Sequence, residues 1–128
     1  MALNLNNRRT PMVPDHKLRS IASDVRAQVI GAQSSASMCL VVSSPLAERL
    51  RAVGIACRLV AGGVRSEHHY WIELSDGRIV DATADQFPNP SGDPMPPVFV
   101  GTRPTWYGPT PIRAAITRRQ MLLAATPP

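Results

Sequence analysis

Aromatic side chains are scarce in this chain, and all six of them fall between Tyr70 and Tyr107. Lysine is scarcer still: the formal charge of +5 rests on thirteen arginines and Lys17 alone. The arginines are scattered, with doublets only at Arg8-Arg9 and Arg118-Arg119. A single-strand nucleic-acid platform needs aromatic rings interleaved with a basic stripe, so this distribution argues against nucleic acid as a partner. No apolar run approaches the ~20 residues of a membrane span. The opening MALNLNNRRT has no apolar stretch behind its arginines, as a secretory signal would require. The expectation is a soluble cytoplasmic protein, with a secreted effector as the alternative. Two cysteines, Cys39 and Cys57, are all there are, with neither a C-x-x-C nor a His-x-x-x-His spacing. That pattern offers no support for a zinc site or other cofactor, and in a chain without a signal peptide it argues against a disulfide.

What is present fits one domain with a single core, spanning 1–128 of the 128 residues. Residues 1–14 read as an irregular arm closed by Pro11 and Pro14. Asp15 then stands as an N-cap, Leu18, Ile21, Val25 and Val29 recur at helical spacing, and Gly31 is a stop. A small polar linker, Gln33 to Met38, leads to Cys39-Leu40-Val41-Val42. Ser44-Pro45 interrupts this segment, since proline belongs in the first turn of a helix. The reading is a short helix or turn carrying Cys39, followed by a kink or by a fresh helix capped by Ser44 and ended by Gly54. Ile55 to Val60 is strand-like, and Gly62-Gly63 loosens the chain before the next pair of strands. Val98-Phe99-Val100 is β-prone. Trp106-Tyr107 is expected to fold back over the sheet or a cleft, and Ile112 to Ala125 reads as a closing helix.

The most informative stretch is HHYWIELSDGRIVDATADQF, from His68 to Phe87. Turn residues Ser75-Asp76-Gly77 separate two short strands. A two-residue loop would put Asp81 opposite Ile72, on the face of His68 and Tyr70. A three-residue loop, with Gly77 left-handed in a bulge, pairs Asp81 with Trp71 and sets it diagonal to His69. The longer loop also gathers Tyr70, Ile72, Leu74, Val80 and Ala82 on one apolar face. The shorter one would bury an unpaired carboxylate among apolar side chains, which is costly. The apolar pattern therefore selects His69 over His68.

A histidine held by an aspartate is two thirds of a nucleophilic triad, and Cys39 is the candidate nucleophile. A helix N-terminus and a neighbouring imidazolium both favour the thiolate. His69 would move the proton, and Asp81 would fix its tautomer. Each residue also has a plainer reading. Cys39 can be a small buried hydrophobe, His69 an exposed strand histidine, and Asp81 a strand-end carboxylate capping the Thr83-Ala84-Asp85 turn; Asp85 is a rival for the same post. Cys57, inside an apolar run, reads as structural.

In this order, CLVVSSPLAERLRAVGIACRLVAGGV, HYWIEL and IVDATADQF resemble the transglutaminase-like branch of the papain-like cysteine protein superfamily, in particular its small bacterial and phage-associated members. The resemblance covers Cys39 to Val100. It implies an α+β fold with the Cys39 segment packed on a small antiparallel sheet containing 55–60, 69–74, 78–81 and 98–100. It implies Cys39, His69 and Asp81 as catalytic residues, with Trp71 of the His-x-Trp motif beside the substrate cleft. Gln33, six residues before the cysteine, stands where papain-like peptidases place a glutamine for the oxyanion. Leu40, where an aromatic is common, and Pro45 depart from the family pattern. The implied function is a thiol hydrolase or acyltransferase acting on an amide of a peptide or protein substrate. A non-catalytic peptide- or protein-binding module on the same fold is the alternative.

Overall fold

A computed structural model describes residues 12–108; most of the N-terminal arm and the expected helix at Ile112 to Ala125 lie outside the described residues. Two helices, α1 (Asp15–Val29) and α2 (Cys39–Ala52), precede five strands: β1 (Cys57–Val64), β2 (Glu67–Leu74), β3 (Arg78–Asp81), β4 (Phe99–Thr102) and β5 (Tyr107–Gly108). The strands form one antiparallel sheet in the order β4-β3-β2-β1-β5. The four segments expected to share a sheet do so, within an α+β architecture. Among the described residues no helix is long and apolar enough to cross a membrane.

Helix α1 buries Leu18, Ala22 and Val25, one stripe at helical spacing, with Ile21 and Val29 partly covered at its margins. Pro14, not Asp15, precedes the helix. Asp15 is its first residue and lends negative charge to the N-terminal turn while pairing with Arg78 Nη1 at 2.7 Å. The expected fresh helix capped by Ser44 does not form. The helix runs through Pro45, and Ser44 lies inside it instead of capping a new one. Proline removes the amide that would bond the Val41 carbonyl. Burial of Val42, Leu46, Ala47 and Leu50 against α1 and the sheet outweighs that loss.

β1 begins at Cys57 and continues through Gly62-Gly63, which are strand residues and not a loose connection. The turn into β2 is the two-residue Arg65-Ser66, both at positive φ (54° and 67°), with Val64 paired to Glu67. That is the primed hairpin geometry usually signalled by Asn-Gly, and here no such signal exists. The β2–β3 hairpin matches expectation. Ile72 pairs with Val80 and Glu73 with Ile79, leaving Ser75-Asp76-Gly77 as the loop. Gly77 has φ +95°, a conformation that β-branched residues resist. Arg78 secures this hairpin by bonding Asp76, Asp15 and the Val13 carbonyl.

The register divides the sheet into two faces. Ile72, Leu74, Val80 and Ala82 join Leu18, Val25, Val42, Leu46 and Leu50 in the main core under the helices. The opposite face is also covered. Val64, Trp71, Ile79 and Tyr107 form a second buried cluster, flanked by Val60, Phe87, Phe99 and Trp106. The Trp106-Tyr107 segment thus folds back over the sheet, as expected.

Candidate active site

Alternation along β2 sends His69 and Trp71 to the second face, and the three-residue loop sends Asp81 to the same side. His69 Nε2 and Asp81 Oδ2 are 2.7 Å apart, with His69 1% exposed and Asp81 fully buried. The rival His68 is exposed. The other rival, Asp85, sits on the short 3-10 turn Ala84–Gln86 and is bonded by both terminal nitrogens of Arg26 at 2.9 Å. Burial works against the ionised Asp85 carboxyl, but Arg26 and Ser35 outweigh it and hold its pKa below the usual carboxylate range.

Asp81 has more partners than the triad reading supplied. Oδ2 also accepts the Tyr107 hydroxyl at 2.6 Å. Oδ1 accepts the Thr83 amide at 3.0 Å and the Thr83 hydroxyl at 3.4 Å. The carboxylate therefore caps the following turn and holds the histidine at once, so its two readings are not exclusive. With donors to both oxygens, a buried negative charge is accommodated there.

His69 keeps a charged ring despite its burial. Burial alone would push its pKa down. The hydrogen bond that the ring donates to Asp81 and the nearby Cys39 side chain, with the charges of both, reverse this and raise it to about 9. Cys39 thus acts on the ring whose Nε2 is already engaged by Asp81. Nδ1 is buried, and no hydrogen bond of acceptable distance and angle is formed to it. Among the described residues Cys39 thus influences the ring without a well-formed hydrogen bond to it. Cys39 is the first residue of α2 and is 8% exposed. As the first helical residue, its amide has no helical carbonyl one turn earlier to bond.

Three aromatic rings enclose His69. Phe87 meets it edge-on at 5.2 Å, Tyr107 edge-on at 6.0 Å, and Trp71 lies tilted at 6.1 Å. Trp71 is fully buried, with its indole nitrogen unpaired among the described residues. It reaches this position because Gly62, opposite His69 on β1, has no side chain. A Cβ there would stand 2.4 Å from Trp71 Cη2 and 2.6 Å from the Gly108 carbonyl oxygen. Gln33, expected at the oxyanion, is exposed on the loop between the helices. Its amide bonds Ile30, and its side chain makes no hydrogen bond among the described residues.

Both cysteines are free. Cys57 is half-buried on β1, and its Sγ lies 3.7 Å from the Ala47 carbonyl oxygen. Burial pushes its thiol pKa up, against a smaller opposing effect of Arg51. No cluster of His, Cys, Asp and Glu suited to a metal occurs among the described residues. Sequence reasoning missed Thr83 and Tyr107 as donors to Asp81. Thr83 was legible as the threonine two residues after Asp81 in IVDATADQF; Tyr107 was legible only as an aromatic that folds back. No family model, curated protein or solved structure matches this chain.

Proposed function

We propose that this protein is a thiol-dependent hydrolase or acyltransferase acting on an amide bond, with Cys39 as nucleophile, His69 as proton carrier and Asp81 as its anchor. The observation that carries the reading is His69 itself, a buried imidazole bound to Asp81 through one nitrogen and influenced by Cys39. The resemblance of the surrounding motifs to transglutaminase-like, papain-like proteins adds support. The substrate class is a peptide bond or a glutamine side chain.

The chemistry follows from the protonation state. With His69 held at about 9, its ring is an imidazolium at neutral pH and serves as the proton donor, while the Cys39 thiolate is the nucleophile. The thiolate attacks the amide carbon, a C–S bond forms, and the carbonyl electrons move to oxygen facing the Cys39 amide. The oxyanion collapses, the C–N bond breaks, and the imidazolium passes its proton to the departing amine. The imidazole then takes a proton from water or an acceptor amine, whose attack breaks the C–S bond and restores thiolate and imidazolium. Asp81 keeps the ring from rotating.

Water as acceptor gives a peptidase or deamidase; an amine gives cross-linking. One observation favours the second reading, a non-catalytic peptide- or protein-binding module: all three side chains are nearly inaccessible. Iodoacetamide labelling as a function of pH separates the two. The enzyme reading expects fast alkylation of Cys39 at neutral pH, abolished by His69→Ala, with Cys57 inert. Slow and equal labelling of both cysteines would support the module.

A further inference from the structure

We infer that Tyr107 is a positioning residue of this site: its hydroxyl shares Asp81 Oδ2 with His69 and limits how firmly the carboxylate holds the imidazolium proton. The inference rests on the proposed Cys39–His69–Asp81 reading for its place in the chemistry, while the geometry stands by itself. Oδ2 receives two short bonds, 2.7 Å from His69 Nε2 and 2.6 Å from the Tyr107 hydroxyl. A donor to a carboxylate spreads its negative charge and weakens its pull on any other partner. Tyr107 remains a donor because burial, reinforced by the Asp81 charge, drives its own pKa far above the ordinary phenol value.

The hydroxyl is held by its strand. Tyr107 pairs with Val64 and Gly108 with Gly63, the Tyr107 amide bonds the Pro104 carbonyl, and Arg103 bonds the Tyr107 carbonyl. Few groups compete with it for control of His69. Cys39 faces the ring from α2, Asp81 from β3 and Tyr107 from β5. Trp71 and Phe87 bring uncharged rings, and Gly62 opposite on β1 brings no side chain. Thr83 bonds the other carboxylate oxygen, Oδ1, so Tyr107 is the neutral donor that shares Oδ2 with His69 and can be altered without changing the charge of the triad.

The test is an NMR titration of the His69 ring in the full chain, assigned with His16→Gln and His68→Gln variants. Tyr107→Phe keeps the ring contacts and removes the donor. The His69 titration is expected to move upward by about half a pH unit or more, because Asp81 then gives its charge to His69 alone. Uniform 3-fluorotyrosine labelling makes the same hydroxyl a stronger donor in an unmutated fold, and the titration is expected to move downward. An unmoved or reversed shift in the folded Phe variant overturns the role; if that variant does not fold, an unmoved fluorotyrosine titration overturns it. The two proposals fail separately. An inert Cys39 with both shifts present would sink the enzyme reading alone, whereas an active enzyme with an unmoved His69 would sink the Tyr107 role alone.

Discussion

Replacing Asp81 by Asn tests the site most severely, because the substitution keeps the shape and removes the charge. The carboxylate takes His69 and Tyr107 on Oδ2 and Thr83 on Oδ1. An amide supplies only one acceptor oxygen. If that oxygen faces Thr83, the NH2 meets His69 Nε2 and the Tyr107 hydroxyl; His69 must then accept at Nε2 and carry its proton at Nδ1, the wrong tautomer for a base toward Cys39. If the amide flips, it opposes the Thr83 amide and leaves that donor unsatisfied, at about 1–3 kcal/mol. The charged ring also loses the larger of its two stabilisers, the Cys39 side chain being the other. A ring held at about 9 instead of the ordinary 6.5 corresponds to roughly 3 kcal/mol in favour of imidazolium. Because the folded pKa is raised, this stability is fully present below about pH 6.5 and is lost as pH rises through about 9. Urea unfolding is therefore expected to show Asp81→Asn less stable than wild type by about 3 kcal/mol at pH 6, with a smaller difference at pH 10. Cys39 alkylation at neutral pH is expected to fall by about 10²-fold or more, within the range of general acid–base contributions. A stability gap that does not shrink with pH, or an unaltered alkylation rate, would refute the coupling of Asp81 to the His69 charge.

Three further outcomes follow from the same geometry. His69→Ala should abolish fast Cys39 alkylation while His68→Ala, at an exposed position, leaves it within about twofold, as read by mass spectrometry of timed iodoacetamide reactions. Cys57→Ala should keep Cys39 reactivity near wild type and cost about 1 kcal/mol in denaturant unfolding, since only a small half-buried group is lost. Gly62→Ala should cost about 1–3 kcal/mol by overpacking, because its Cβ meets both the Trp71 ring and the Gly108 backbone. It should also displace the Tyr107 strand, visible as a change in Trp fluorescence.

The part of the site legible in the chain is the part governed by local geometry. Side-chain alternation has a period of two, and one glycine in a left-handed conformation sets the loop length, so Ser75-Asp76-Gly77 already places His69 on the same face as Asp81, on the diagonal. The apolar alternation of Ile72, Leu74, Val80 and Ala82 names the core face for the same reason. The helical stripe of Leu18 and Val25 was likewise readable from spacing. The rest depends on distant segments meeting. Local propensity would break α2 at Pro45, and burial on the sheet keeps it whole. Gly62 resembles a flexible linker residue until Trp71 lies across it. Asp85 resembles a rival for His69 until Arg26, 59 residues earlier, claims both of its oxygens. Tyr107 lies on a two-residue strand with no periodicity, 26 residues from Asp81; only pairing of that strand with β1 brings its hydroxyl to the carboxylate. Pattern within a strand determines which side chains share a face, whereas the closing of long loops determines which of those side chains find a second partner.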